Sequence, residues 1–272
     1  MKTMQCKHYF IGLIILLASL LGGCQSQQPI EQESFCTSCS AARQAFIFEQ
    51  VAQKHHSAVT PVARITKSTW WLRKHQAMNA RVEQGNVDLI FIGDSITDAW
   101  SSRGRSVWKK YYSKRNAVNL GIGGDRTQHV LWRLKHGNID NINPKLAVLM
   151  IGTNNSNRHD NTASEIADGI IAICAQLRHK LPHTKILLLD IFPRGSTFSA
   201  QREKNAQASL IASRIADNRY IFYYPIGCKF LKPDGTLTRD IMPDLLHPNS
   251  AGYEIWAQAI EPVVRKLMNE DK

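Results

Sequence analysis

The chain has 272 residues, of which 43% are hydrophobic, and it carries a formal net charge of +12 at pH 7. This composition excludes a fibrous or intrinsically disordered protein and predicts one large folded domain or two small ones. Lys and Arg are scattered and no nucleic-acid-binding motif occurs, so the charge is interpreted as a surface property and no nucleic-acid partner is expected.

Residues 1–23 have the organisation of a secretory signal. Lys2 and Lys7 precede an almost wholly apolar run from Tyr9 to Leu21, which is too short for a comfortable membrane span. The following Leu21-Gly22-Gly23-Cys24 resembles a bacterial lipobox, in which the Cys is diacylated and becomes the new N-terminus. We therefore expect cleavage after residue 23 and a lipid on Cys24; a plain signal peptide or an uncleaved anchor is the alternative.

Such an anchor predicts a protein of the bacterial cell envelope whose partner is a membrane. In lipoproteins, an Asp directly after the lipidated Cys favours retention in the inner membrane. Gln25 is at that position instead, which indicates the outer membrane, facing the periplasm. Removal of residues 1–23 takes away Lys2 and Lys7 and no acidic residue, so the charge falls from +12 to +10. Residues 24–40, rich in Gln, Ser and Cys, are predicted to be a lipidated tether.

The remaining cysteines are interpreted as structural. Cys36 and Cys39 form a Cys-x-x-Cys pair, and exported chains can oxidise such pairs. A redox site would require a surrounding thioredoxin-like βαβ unit and a metal site a second cysteine pair, and the sequence shows neither. A local disulfide is therefore predicted, with free thiols as the alternative. Cys174 and Cys228 are expected to be buried.

Two helical patterns precede the first strand, at residues 41–55 and 68–84, and residues 41–86 are predicted to be a helical preamble that packs against the sheet. From residue 87 onward, short apolar runs alternate with helical patterns. The predicted strands are residues 87–92, 117–120, 146–151, 186–191 and 220–224, and the predicted helices are residues 127–136, 162–180, 201–217 and 250–268.

This alternation predicts the fold class. Strands joined by helices of this length are parallel and connected by right-handed crossovers, and continuous apolar strands are typical of a sheet covered on both faces. We therefore predict an α/β protein in which residues 87–272 form one doubly wound, flavodoxin-like, five-stranded parallel sheet with helices on both faces.

Four loops are expected at the carboxyl edge of this sheet, where open parallel sheets bind their ligands. The first is Gly93-Asp94-Ser95, in which Ser95 could simply cap a helix. The second is the Gly-rich turn 119–127, which lacks the Lys of a phosphate-binding loop. The third is Gly152-Thr153-Asn154-Asn155, where each Asn could merely hold its own turn. The fourth places Asp244 three residues before His247, a spacing that suits a general base with its orienting carboxylate.

These four pieces together resemble the SGNH (GDSL) hydrolase superfamily. Its blocks are matched in order by Ser95, Gly124, Asn154 and Asp244 with His247, over residues 87–268. Within the superfamily, residues 119–125, the following His129-Val130-Leu131-Trp132-Arg133-Leu134-Lys135 and Phe192-Pro193-Arg194-Gly195 are similar to the catalytic subunits of platelet-activating-factor acetylhydrolase and their bacterial relatives. Ile96 replaces the Leu of the nominal Gly-Asp-Ser-Leu motif, and the lipoprotein leader is not a feature of the cytosolic animal subunits.

The resemblance implies a serine esterase without metal or organic cofactor. It implies Ser95 as nucleophile, His247 as base and Asp244 as the residue that orients the base, with the N–H groups of Ser95 and Gly124 and the Asn154 amide as oxyanion hole. Supporting positions around the chemistry or in an acyl pocket are expected to be Asp94, Ile96, Asn155 and Leu246. The expected substrates are short-chain, acetyl-like esters of a glycan or lipid. A broader lysophospholipase or thioesterase and a non-catalytic glycan- or lipid-binding lipoprotein are the alternatives.

Overall fold

The structure, a computed structural model, describes residues 37–64, 69–157 and 160–270. The predicted signal, the lipidation site Cys24 and the predicted disulfide partner Cys36 lie outside the described residues. Helix α1 spans Thr37–Ala52 and so begins inside the predicted tether. No Gly or Pro interrupts residues 37–52, and the helix extends over this whole uninterrupted stretch.

The centre of the fold is one parallel sheet with the strand order β2-β1-β3-β4-β5. Each strand pairs in parallel with its neighbours, and β1 lies between β2 and β3 with Gly93 opposite Gly121 on one side and Met150 on the other. The strands are β1 Leu89–Gly93, β2 Ala117–Gly121, β3 Leu146–Met150, β4 Lys185–Leu189 and β5 Ile221–Tyr224. The predicted doubly wound fold is confirmed, with strand ends within about two residues of those expected.

Helices cover both faces of the sheet. One face packs against α1, α2 Trp70–Glu83, α5 Thr127–Lys135, α6 Ala163–Lys180 and α7 Ala200–Ala212. The other packs against α3 Ser95–Asp98, α4 Arg105–Tyr111 and α8 Ser250–Met268. Successive strand residues alternate between the two cores, so that Ile90 and Ile92 face the first and Leu89 and Phe91 the second. Both faces are therefore dry, as the continuous apolar strands predict.

The preamble differs from the prediction in one respect. Helix α2 contacts the edge strand β2 and buries Trp71, Met78 and Val82 in the first core, as expected. Helix α1 instead lies mainly on α6. Cys174 is buried as expected, whereas Cys228 is exposed, in a 3₁₀ turn that follows β5.

Candidate active site

The Gly93-Asp94-Ser95 turn stands at the carboxyl end of β1, and Ser95 is the first residue of the short helix α3. A side chain at Gly93 would overlap the Met150 carbonyl oxygen, so only glycine allows this close approach of β1 and β3. Asp94 caps the helix, and its Oδ1 accepts a hydrogen bond of 2.9 Å from the Ile96 N–H. The strand end, the Gly and the Asp thus hold Ser95 at the sheet edge with its side chain partly exposed.

The structure brings together the three residues predicted as nucleophile, base and orienting acid. Ser95 Oγ lies 2.8 Å from His247 Nε2, although the two residues are 152 positions apart. On the other side of the ring, His247 Nδ1 lies 2.6 Å from Asp244 Oδ2. A carboxylate accepts only, so the proton belongs on Nδ1, and Nε2 is left to accept the hydroxyl proton. This is the hydrogen-bond chain of a hydroxyl nucleophile with an oriented base.

The loop 243–248 is folded around the Asp244 carboxylate. Its Oδ1 accepts bonds from the backbone N–H groups of Leu246 at 3.1 Å and His247 at 2.8 Å, and Leu245 takes a left-handed conformation with φ of 59°. Burial is the largest single influence on the pKa of Asp244 and raises it, but the bonds from the His247 N–H, the His247 ring and Leu246 together lower the pKa to about 2. Asp244 is therefore a carboxylate at neutral pH, suited to orient the imidazole.

The predicted oxyanion donors come from three neighbouring loops. As the first residue of α3, Ser95 has a backbone N–H that can have no acceptor within its own helix. Gly124 follows β2 in a turn closed by a bond from Asp125 N to Ile122 O, and its φ of 74° favours glycine. Asn154 follows β3, and its Nδ2 donates a hydrogen bond of 2.9 Å to Asp125 O. That bond joins the loops on either side of β1 and leaves the second amide hydrogen of Asn154 for another acceptor.

The remaining predicted positions are Asn155, Ile96 and Leu246, which lie next to the residues of the candidate site in sequence. Asn155 is buried, where its Oδ1 accepts from Thr127 N at 3.0 Å and its Nδ2 donates to Asn161 Oδ1 at 3.1 Å. Asn155 therefore ties the start of α5 to the loop after β3. Ile96, which follows Ser95 directly, is fully buried and belongs to the second core, so its predicted place in an acyl pocket stays a prediction. Leu246 is partly exposed next to His247, and its predicted place in an acyl pocket stays a prediction.

Asp94 is the most unusual carboxyl group of the site. It is completely buried, and its Oδ2 has no hydrogen-bond partner among the described residues. Burial raises the pKa of Asp94 to about 7, with the negative charge of Asp125 adding to the increase and the Arg194 guanidinium opposing it. At neutral pH this carboxyl is therefore neutral in a large fraction of molecules, in contrast to Asp244.

A buried ion pair behind the Gly-rich turn was not predicted from the sequence. Arg133 Nε donates to Asp125 Oδ2 at 2.8 Å, Trp71 Nε1 donates to Asp125 Oδ1 at 2.6 Å, and both charged side chains are fully buried. These bonds hold the turn that contains Gly124 against α2 and α5. The signal in the sequence was an Asp in the turn with an Arg eight residues later on a helix, but only the fold shows that both are buried.

A second residue that the sequence did not indicate is Arg64, from the segment between α1 and α2. Its guanidinium donates a hydrogen bond of 2.5 Å to Gly123 O and so also contacts the Gly-rich turn. Over the part of the chain that the structure describes, there is no cluster of His, Cys, Asp and Glu suited to a metal ion. The same part contains no helix with the length and apolar character needed to span a membrane.

Comparison with known proteins agrees with this geometry. Residues 91–255 match the family model of the GDSL-like lipase/acylhydrolase family. Subunit alpha1 of platelet-activating factor acetylhydrolase IB from Homo sapiens is 32% identical over 217 residues, which are 79% of this chain and 92% of that protein. Subunit alpha2 of the same enzyme from Rattus norvegicus is 34% identical over 201 residues, which are 74% of this chain and 86% of that protein.

Solved structures of low sequence identity share the fold. A GDSL-like lipase from Bacteroides thetaiotaomicron is 20% identical with a TM-score of 0.55, covering 71% of this chain and 97% of that one. An acetylxylan esterase from Geobacillus stearothermophilus is 20% identical with a TM-score of 0.52, covering 68% and 94%. By the family match and the identity to the acetylhydrolase subunits, the chain belongs to the GDSL-like lipase/acylhydrolase family and is an acylhydrolase that acts on esters.

Proposed function

We propose that the protein is a serine esterase that hydrolyses short-chain carboxylic esters through an acyl-enzyme on Ser95. The observation that carries the proposal is the continuous chain of hydrogen bonds from Ser95 Oγ through His247 to Asp244, at 2.8 and 2.6 Å. The ionised Asp244 holds the imidazole with its unprotonated Nε2 towards the hydroxyl, which is the arrangement that activates a serine.

The reaction follows from these positions. As Ser95 Oγ forms a bond to the ester carbonyl carbon, its proton passes to His247 Nε2, and the carbonyl oxygen takes the negative charge. The tetrahedral intermediate breaks its bond to the alcohol oxygen, which leaves with the proton from Nε2. Water then gives a proton to the same nitrogen, attacks the acyl-enzyme and releases the carboxylic acid, and Ser95 recovers its proton.

The negative oxygen of each intermediate needs donors that are already in place. We assign this role to the Ser95 and Gly124 N–H groups and the second amide hydrogen of Asn154, which the bond to Asp125 O orients. Donors fixed before the reaction cost no reorganisation when the charge develops, and removing one typically lowers kcat by about 10²- to 10³-fold.

A short acyl group is favoured by two arguments. The relatives that cover most of this chain are named acetylhydrolases, and solved structures of the same fold include acetylxylan esterases. Ile96, which follows Ser95, is also fully buried in the second core, and Leu246 precedes His247; these two side chains are proposed to limit the acyl pocket. Forcing a methylene against a packed wall costs about 1 to 3 kcal/mol, which is enough to reject longer chains.

The experiment that tests the proposal compares kcat/KM for p-nitrophenyl acetate, butyrate and octanoate. The expected order of kcat/KM is acetate, then butyrate, then octanoate. Turnover should be abolished in Ser95→Ala and retained in the control Ser102→Ala, whose exposed hydroxyl donates a hydrogen bond to Ala99 O. A maximum at octanoate would contradict the short-chain proposal and favour the lysophospholipase or thioesterase. Absence of hydrolysis with all three esters would favour a binding protein.

The proposed location rests on the sequence alone. We propose that Cys24 is lipidated and anchors the enzyme in the cell envelope, where a glycan or lipid ester would be its substrate. Mass spectrometry of the membrane-extracted protein should show an acylated N-terminal Cys24, and Cys24→Ser should release the protein from the membrane fraction. An unmodified N-terminus would contradict the anchor without affecting the esterase proposal.

A further inference from the structure

Arg64 brings a positive charge to the active site from a segment outside residues 91–255, the part that matches the family model. Its guanidinium donates to Gly123 O at 2.5 Å, and its Cζ lies 5.6 Å from the centre of the Trp70 ring. Both side chains therefore lie against the Gly-rich turn that carries the proposed oxyanion donor Gly124.

The geometry places this pair beside the nucleophile. A Cβ built on Gly124 would overlap the Arg64 guanidinium, and one built on Gly123 would lie 3.9 Å from both Ser95 Cβ and the Trp70 ring. Combined with standard bond lengths, these contacts put the guanidinium within about 10 Å of Ser95 Cβ. A group attached to a bound ester, one ring away from the reacting carbonyl, can span that distance.

The charge of Arg64 is available to a ligand. Arg126 and Arg133, which also lie around this turn, are each paired with a carboxylate. None of the carboxylates in residues 37–64, 69–157 and 160–270 forms an ion pair with Arg64, although its charge acts on the buried Asp125, where burial raises the pKa of the carboxyl and the Arg64 charge lowers it. Arg64 is a partly exposed residue. One hydrogen bond to Gly123 O leaves most of its five N–H donors for another acceptor.

We propose that Arg64, held beside Trp70, is a specificity-determining residue that binds a carboxylate or phosphate on the alcohol portion of the ester. The inference rests on the proposed function, because a short acyl group has no room for a charge and the anion must then belong to the alcohol. Arg is suited to this task since its planar guanidinium binds carboxylate and phosphate through two parallel hydrogen bonds.

The test uses three aryl acetates that differ only in the para group. 4-Acetoxybenzoate carries a carboxylate, 4-acetoxyphenyl phosphate carries a phosphate, and 4-acetoxybenzamide is neutral. For each, kcat/KM is divided by the rate constant for hydrolysis by hydroxide, which corrects for the leaving group. The wild type, Arg64→Gln, Arg64→Lys and the control Arg73→Gln are compared at low and high salt; Arg73 is an exposed arginine of α2.

For the wild type, at least one anionic ester should be preferred over the neutral one by about tenfold, as expected for a partly exposed charge-assisted pair. Arg64→Gln should remove this preference, so that the anionic and neutral esters have equal corrected kcat/KM; loss of the bond to Gly123 O can lower all three values together without affecting their ratio. Arg64→Lys should restore part of it, and Arg73→Gln should retain it. The anionic ester with the larger preference identifies carboxylate or phosphate as the ligand chemistry. Salt should weaken the preference of the wild type, a readout that remains if the Arg64 variants fail to fold.

Two results would overturn the inference while leaving the proposed function intact. One is hydrolysis of all three esters by the wild type with no preference for either anion at low salt. The other is an anionic preference that Arg64→Gln retains. If no ester is hydrolysed, the proposed function fails instead, and calorimetric binding of 4-hydroxybenzoate to wild type and Arg64→Gln still decides whether Arg64 binds the anion.

Discussion

Replacing Asp94 by asparagine tests how the buried carboxyl group beside Ser95 affects stability. Asn keeps the size of Asp and an oxygen for the Ile96 N–H, but it cannot ionise. In the wild type, burial raises the pKa of Asp94 from 3.8 to about 7. Between these values the folded protein keeps a proton that the unfolded chain releases, so this group makes stability fall as the pH rises from about 4 to 7.

The magnitude follows from the two pKa values. Each step of one in pKa corresponds to about 1.36 kcal/mol, so the interval from 3.8 to about 7 corresponds to about 4 kcal/mol as an upper value. Asp94→Asn does not titrate and avoids this loss. Relative to wild type, its free energy of unfolding should therefore increase with pH up to pH 7 and then level off.

The assay is urea unfolding of both proteins at intervals between pH 4 and pH 8, with the difference in unfolding free energy plotted against pH. Titrating groups that do not interact with Asp94 cancel in this difference. The control is Asp234→Asn, because Asp234 is exposed in a turn and bonds to Thr236, which lowers its pKa and gives no rise of this kind. A difference for Asp94→Asn that stays flat between pH 4 and pH 7 would refute the assignment of a raised pKa.

The remaining predictions concern the base, the oxyanion hole and acid stability. His247→Ala should lower kcat on p-nitrophenyl acetate about as much as loss of Ser95, whereas Asp244→Asn should cost about 10⁴-fold or less; negligible effects of both changes would contradict their roles. Asn154→Ala should lower kcat by about 10²- to 10³-fold with little change in KM, and an unchanged kcat would remove it from the oxyanion hole. Burial lowers the pKa of His129 to about 4, and the charges of Arg64 and the nearby arginines add to this effect. As the pH falls from 6.5 to about 4, the unfolded chain therefore binds a proton at His129 before the folded protein does, and this group makes stability fall. His129→Gln should lack that part of the acid loss in urea unfolding, and a pH dependence identical to wild type would contradict it.

The sheet could be predicted because its signals are local. Each strand is a short apolar run ended by Gly or a polar turn, and the long helices have regular apolar spacing. The sequence indicated a helix start near Ser95 but not the extent of α3, and it did not indicate α4, because four and seven residues are too few for a periodic pattern. The packing of α1 on α6 was missed because the sequence does not show against which element a helix packs.

The predicted chemical groups of the site followed from the family resemblance, and the structure supplies their geometry. What the sequence did not indicate depends on distant contacts. Arg64 meets Gly123 across 59 positions, and no motif marks it. The Asp125 and Arg133 pair is close in sequence, yet its burial depends on Trp71 from α2. Such contacts form only when the preamble packs against the domain, and the sequence pattern does not indicate that packing.

The most direct test of the central claim is to find the acyl-enzyme. The wild-type protein is mixed with p-nitrophenyl acetate, quenched in acid during the first turnovers, digested and analysed by mass spectrometry. The account predicts one acetyl group on the peptide that contains Ser95, located on the Ser95 side chain, and no such adduct in Ser95→Ala. Acetylation of a different residue as the kinetically competent species, or full ester turnover by Ser95→Ala, would contradict the account.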